Sequence, residues 1–211
     1  MVRKTKEEAL VTRGRILDAA ERLFQLHGVS GTSLHDIATA AGVTRGAVYW
    51  HFTDKGDLFN AMMDRVFLPM EAESQSLLDR ADDPEPLVTL REHLVGILAG
   101  VAGDAQVQRV FEIATHKVEY VDALSAVRER HLQIRRDYMA VLERTLRAEQ
   151  RRGHLARTPS ARQMAIGLHA LLDGLIQNWI LDPTDFALLP VGRQAIEAYL
   201  AGLVRPTHAE A

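Results

Sequence analysis

The sequence predicts an all-α protein, about nine helices arranged as an N-terminal three-helix domain and a longer helical body. Three observations carry that expectation. Apolar residues recur at the three- and four-residue spacing of a helix face, strand-type alternation is nearly absent, and Gly and Pro fall between the periodic segments.

A first helix is expected from about Glu7 to His27, with Ile16, Leu17, Ala20, Leu23 and Phe24 on one face and Gly28 as its stop. Short helices follow at Leu34–Ala41 and Arg45–His51, and Asp54 caps a longer one whose Leu58, Met62, Val66 and Phe67 share a side. Asp83-Pro84 reads as a cap before a proline in the first helical position, with Leu87, Leu90, Leu94, Ile97, Leu98 and Val101 as the stripe behind it. Further helices are expected over Ala105–Val118, Ala123–Arg152 (stopped by Gly153), Ser160–Leu181 and Pro190–Val204. The domain boundary falls between residues 1–53 and 54–211.

Composition narrows the class. At 47% hydrophobic and 25% charged the chain is a folded globular protein, and with no cysteine it has no disulfide, thiolate nucleophile or cysteine-type zinc cluster. No apolar run approaches the roughly 18 residues of a membrane span, and Met1–Lys6 lacks the apolar stretch of a secretory signal, so no membrane partner is expected and a cytoplasmic location is. The net charge of −3 is unevenly divided: residues 1–52 carry seven basic and five acidic side chains, leaving 18 and 23 for the remainder. A mildly basic head stands on an acidic body.

The stretch from Thr32 to Phe52 carries the chemistry. Two helices crossing tightly need a small residue where they meet, which Ala38 supplies, and a turn residue that tolerates positive φ, which Gly42 supplies. Ile37, Ala41, Val43 and Val48 face inward, Ser33 with Asp36 caps the first helix, and Thr44 caps the second. The second helix shows the face of a helix-turn-helix reader: Thr44, Arg45, Gly46, Tyr49, Trp50 and His51. Arg45 can take two guanine acceptors in a major groove, and Gly46 permits close approach. Tyr49, His51, Lys55 and the hydroxyls of Ser33 and Thr44 are placed to meet phosphates. Tyr49 and Trp50, taken singly, could also be core aromatics.

The run Gly42-Val43-Thr44-Arg45-Gly46-Ala47-Val48-Tyr49-Trp50-His51-Phe52, with Asp54-Lys55 and Leu58 behind it, resembles the signature of the TetR family. Arg3–Ala9 and His116-Lys117-Val118-Glu119-Tyr120 resemble the AcrR- and TtgR-type subgroup, repressors of multidrug efflux pumps. The resemblance implies a homodimer on a palindromic operator of double-stranded DNA, with Arg45 and Tyr49 touching DNA and Thr44, His51 and Lys55 holding its backbone. Arg3, Lys4 and Lys6 either follow a neighbouring groove or form a solvated tail.

The segment Ser160–Leu181 is apolar nearly all round, which requires burial on two sides. Leu168, Leu171, Leu175 and Trp179, with Ile196, Tyr199, Leu200 and Leu203 of the last helix, are the candidate dimer interface; a monomer with a central core helix is the other possibility. Asp173 sits one turn after His169 in this apolar surrounding, and is either a structural acid or, as the resemblance implies, a residue facing a ligand. Faces that would converge on it carry His93 and Ile97; Phe111 and Thr115; His131, Ile134 and Tyr138; and Leu172 and Ile176. A mostly apolar site with a few polar anchors suits a small hydrophobic or aromatic effector. Glu112, His116 and Glu119 have helical spacing without a second cluster, and read as a polar contact between helices, not a metal site. No catalytic constellation or cofactor motif is present, so the chain is expected to be a regulator and not an enzyme. A TetR-type regulator answering to a metabolite and controlling non-efflux genes is the alternative.

Overall fold

The computed structural model describes residues 6–78, 83–119 and 125–204. Among them are nine α-helices, α1 (Lys6–His27), α2 (Leu34–Ala41), α3 (Arg45–His51), α4 (Lys55–Leu78), α5 (Pro86–Gly103), α6 (Ala105–Glu112), α7 (Ser125–Arg152), α8 (Ala161–Leu181) and α9 (Leu188–Leu203), with a π turn at Ile113–Lys117. The all-helical expectation holds, and the one strand-like pairing among the described residues is an isolated bridge between Leu155 and Val204.

Compactness divides the chain into two units that do not follow a single cut at residue 53: Met1–Leu68 with Arg109–Leu132, and Pro69–Gln108 with Gln133–Ala211. The reason lies in packing. In the first unit Phe59 of α4 stacks on Phe24 of α1 at 6.0 Å, and Leu58, Met62 and Val66 are buried with it, so the head continues into α4. The π turn returns to α1, and the Lys117 carbonyl accepts the Val29 amide at 2.9 Å. Ile16, Leu17, Ala20, Phe24, Ile37, Ala38, Ala41 and Val48 complete this core.

In the second unit α8 packs on α9 and α5, and α5 on α9, around Leu90, Leu94, Leu98, Leu168, Leu172, Ile196 and Leu200. A side chain on Gly192 would run into Leu98, which is why a glycine stands in that contact. Tyr199 donates to the Met164 carbonyl at 2.9 Å across the space that Gly167 leaves. Among the described residues α8 is the one helix long and apolar enough, by length and composition, to cross a membrane. In this unit it packs against α9 and α5.

Several ends differ from expectation for local reasons. Helix α5 opens at Pro86, not Pro84, because Asp83 accepts the Glu85 amide at 2.8 Å and turns the chain first. The segment expected to run on to Val118 leaves α geometry after Glu112. Ser160 is the N-cap of α8, closing a capping box with Gln163.

Candidate DNA interface and effector site

The turn between α2 and α3 is built as its residues dictate. Gly42 has φ 63° at the C-cap of α2, the left-handed region that disfavours a side chain, and Arg15 of α1 donates to the Ala41 carbonyl at 2.6 Å to close the helix end. Thr44 caps α3 by accepting the Ala47 amide at 3.1 Å. Val48 and Phe52 anchor α3 in the core, and Arg13 lies over the Phe52 ring, 5.1 Å from its centroid.

What remains outside is a cationic and aromatic face. Trp50 is 73% exposed and Tyr49 47%, which removes the core role for Trp50. Arg45 and Tyr49 stand one turn apart as a pair: the guanidinium donates to the Tyr49 hydroxyl at 3.2 Å and lies over its ring, 5.4 Å from the centroid. That hydrogen bond raises the arginine's already high pKa further. A Cβ at Gly46 would meet only the Thr44 hydroxyl, at 3.9 Å, so this glycine clears the outer surface and is not required by internal packing. His51 stacks edge-on against Trp50 at 4.6 Å.

Two predicted phosphate donors have other commitments. Ser33 directs both its amide (3.0 Å) and its hydroxyl (2.6 Å) to Asp36, and these bonds hold the Asp36 carboxyl below its ordinary value. Lys55 donates to the carbonyls of Val29 (2.7 Å), Thr32 (3.0 Å) and Ser30 (3.3 Å), and burial lowers its pKa. An ammonium has three protons, so a phosphate would have to compete for them.

A polar network in the same unit escaped the sequence reading. Glu21 of α1 is 2% exposed and receives Arg65 of α4 at 3.1 Å and Arg109 of α6 at 3.5 Å. Arg65 also reaches Asp18 at 2.8 Å, and Arg109 donates to Gln25, which in turn donates to Glu112 at 2.7 Å. The Glu112 end agrees with the expected contact between helices. The available signal was an acid at position 21, between Leu17 and Phe24 on the buried stripe.

The proposed effector residues do not all fall in one unit. Phe111, Thr115 and His131 belong to the first, where Phe111 packs on Phe67 at 5.0 Å and Thr115 donates to the Phe111 carbonyl. His93, Ile97, Ile134, Tyr138, His169, Leu172, Asp173 and Ile176 belong to the second. There Tyr138 joins His93 (6.2 Å between ring centroids) to His169 (6.0 Å), and Ser74, another residue that sequence reasoning missed, pairs with His93 Nε2 at 3.0 Å. Leu172 and Ile176 are core residues of this unit. Asp173 is half-buried and accepts from Gln177, one turn on, at 2.6 Å.

The residues expected at a dimer interface divide by their burial within the single chain. Leu168, Trp179, Ile196, Leu200 and Leu203 are buried within the single chain, where they form its own core. Leu171, Leu175 and Tyr199 are half-exposed, and the open apolar positions nearby are Ile166, Leu181 and Val191.

The three-helix head and the exposed face of α3 define a helix-turn-helix DNA-binding regulator. Comparison with known proteins agrees over most of the chain. Residues 16–62 match the description "Bacterial regulatory proteins, tetR family", and residues 85–204 match "MAATS-type transcriptional repressor, C-terminal region". The regulator TtgR of Pseudomonas putida is 39% identical over 193 residues, 90% of either chain. The crystal structure of NalD, the secondary repressor of the MexAB-OprM multidrug efflux pump in Pseudomonas aeruginosa, superimposes with a TM-score of 0.84 at 35% identity, covering 93% of this chain and 98% of that one. A complex of SmeT with triclosan does so with a TM-score of 0.84 at 30% identity, covering 93% of each. The chain belongs to the TetR family: it is a transcriptional repressor and not an enzyme.

Proposed function

We propose that the protein is a ligand-released repressor that binds a palindromic operator as a homodimer, controls a multidrug efflux pump operon, and leaves DNA when a hydrophobic or aromatic compound enters its second unit. The observation that carries this reading is the outward Arg45–Tyr49 pair on a helix otherwise locked into the head. Held over the tyrosine ring, the guanidinium keeps few rotamers to lose on reaching a base edge. Thr44, Trp50 and His51 flank it, with Ser33 and Lys55 contributing through the turns they brace.

A homodimer is supported by the apolar positions left open on α8 and α9, namely Ile166, Leu181 and Val191, with the half-exposed Leu171, Leu175 and Tyr199 beside them. Efflux control is supported by likeness to NalD, and a hydrophobic effector by likeness to SmeT, which binds triclosan. His93, Tyr138 and His169 supply the polar anchors. The ligand must favour the released arrangement, with a coupling of roughly 1–3 kcal/mol.

Fluorescence anisotropy on duplexes from the chain's own upstream region tests this. Tight, salt-dependent binding that weakens by about 1–3 kcal/mol in Arg45→Ala is the expected result. Binding that is indifferent to Arg45, or hydrophobic compounds that saturate the protein without loosening DNA, would remove the proposal. Release only by a polar metabolite would favour a regulator of non-efflux genes.

A further inference from the structure

Among the described residues, two side-chain polar atoms are shut off from solvent without a hydrogen-bond partner: Asn60 Oδ1 and the Tyr138 hydroxyl. Asn60 still donates through its amide nitrogen to the Ala126 carbonyl at 3.5 Å. Tyr138 has no such second group. Its ring is half-buried between His93 and His169, and burial drives its ionisation well above the ordinary value, so it presents a neutral O–H.

The neighbouring imidazole explains why this proton has nowhere to go. The Ser74 hydroxyl has one proton and donates it to the Met70 carbonyl at 2.7 Å, so it accepts from His93 Nε2 at 3.0 Å. Burial lowers the His93 pKa, against a smaller opposing effect of Glu73, which favours the neutral ring, and the Ser74 contact places a donor at Nε2. Its outward partner is Ser74, and the ring meets Tyr138 as a tilted aromatic face at 51°, not as an acceptor within hydrogen-bond reach. A buried O–H left in this condition is destabilising, and evolution of a simple core would place phenylalanine there.

We propose that the Tyr138 hydroxyl is the polar anchor of the effector site, and that its ligands are apolar, largely aromatic molecules carrying an acceptor oxygen, such as a carbonyl, that takes the phenol proton. This inference rests on the effector reading of the second unit and adds the chemical class. A hydrocarbon of the same shape leaves the O–H unpaired, whereas the acceptor relieves a penalty that the ligand-free protein already carries. Discrimination therefore comes from one hydrogen bond in an apolar surrounding.

The test uses two probes of nearly equal shape, benzophenone and diphenylmethane, which differ in a carbonyl against a methylene. Calorimetric titration of the full-length protein is expected to give a Kd for benzophenone about tenfold lower, equivalent to about 1.4 kcal/mol. Tyr138→Phe should bring the two probes within twofold of each other by weakening benzophenone alone. It should also melt no lower than the wild type, because it deletes only an unpaired oxygen. Equal affinities in the wild type, or a tenfold ratio that survives in Tyr138→Phe, overturn the anchor while leaving the effector reading intact. If neither probe binds or loosens operator DNA, both fall together.

Discussion

Replacing Lys55 with methionine separates two roles for one side chain. Met keeps the length and apolar stem but removes the ammonium that caps the carbonyls of Val29 (2.7 Å), Thr32 (3.0 Å) and Ser30 (3.3 Å). Val29 and Thr32 are buried residues, at 0% and 2% exposure, so their carbonyls cannot simply turn to water. Leaving a buried acceptor unsatisfied costs about 1–3 kcal/mol, and two such groups beside a half-exposed lysine give an expected loss of about 2–4 kcal/mol. For a chain of this size that lowers Tm by about 5–10 °C. Urea denaturation at fixed protein concentration measures it, with Lys55→Arg as the variant that retains donors. An unchanged midpoint in Lys55→Met, together with an operator-binding salt slope reduced by about one, would show that Lys55 serves phosphate and not the turn.

Three other outcomes are expected. Glu21→Gln removes a charge that Arg65 and Arg109 both approach; breaking such a pair costs about 3–5 kcal/mol when fully buried, and about 2–3 kcal/mol is expected in denaturant titration because both arginines are partly exposed. Gly167→Ala drives a methyl group into the Tyr199 hydroxyl and should cost about 1–3 kcal/mol in thermal melts, much of it recovered in the double variant with Tyr199→Leu. Asp36 has a folded pKa below its ordinary value of 3.8, so its contribution to the head is present above that value and is lost as pH falls through the lowered one. Acid titration of the head's near-ultraviolet circular dichroism, where Trp50 reports, should therefore begin at higher pH in Ser33→Ala.

The head was legible because its signals are local. A cap lies three residues from the amide it satisfies, and Gly42 has to take positive φ wherever two helices turn that sharply. What sequence could not give is the destination of a long side chain. Lys55 and Ser33 carry donors suited to a phosphate, yet find partners 23 or more residues away for the lysine and three for the serine. The same limit governs α8. An apolar helix has to be covered on two sides, but periodicity does not say which side its own chain covers, and Leu168 and Trp179, expected at a dimer interface, are buried within the single chain. For the effector residues, helical spacing puts His131 and Tyr138 on one face, while the division between compact units falls between them at Leu132. Glu21 was overlooked for a different reason: a lone acid on a buried stripe becomes intelligible once the distant Arg65 and Arg109 are seen to meet it.

The π turn at Ile113–Lys117 makes this stretch sensitive to length in a way that side-chain chemistry does not capture. Each hydrogen bond there spans one residue more than in an α-helix, so the turn behaves as a single-residue insertion absorbed within the screw. Deleting one residue would wind the segment back to ordinary α pitch and bring the extended Val118 one residue earlier. The Lys117 oxygen would swing off the Val29 nitrogen, and the corner after α1 would lose its clasp. Point substitutions can be accommodated gradually along this stretch, whereas a change in chain length by one is all or nothing.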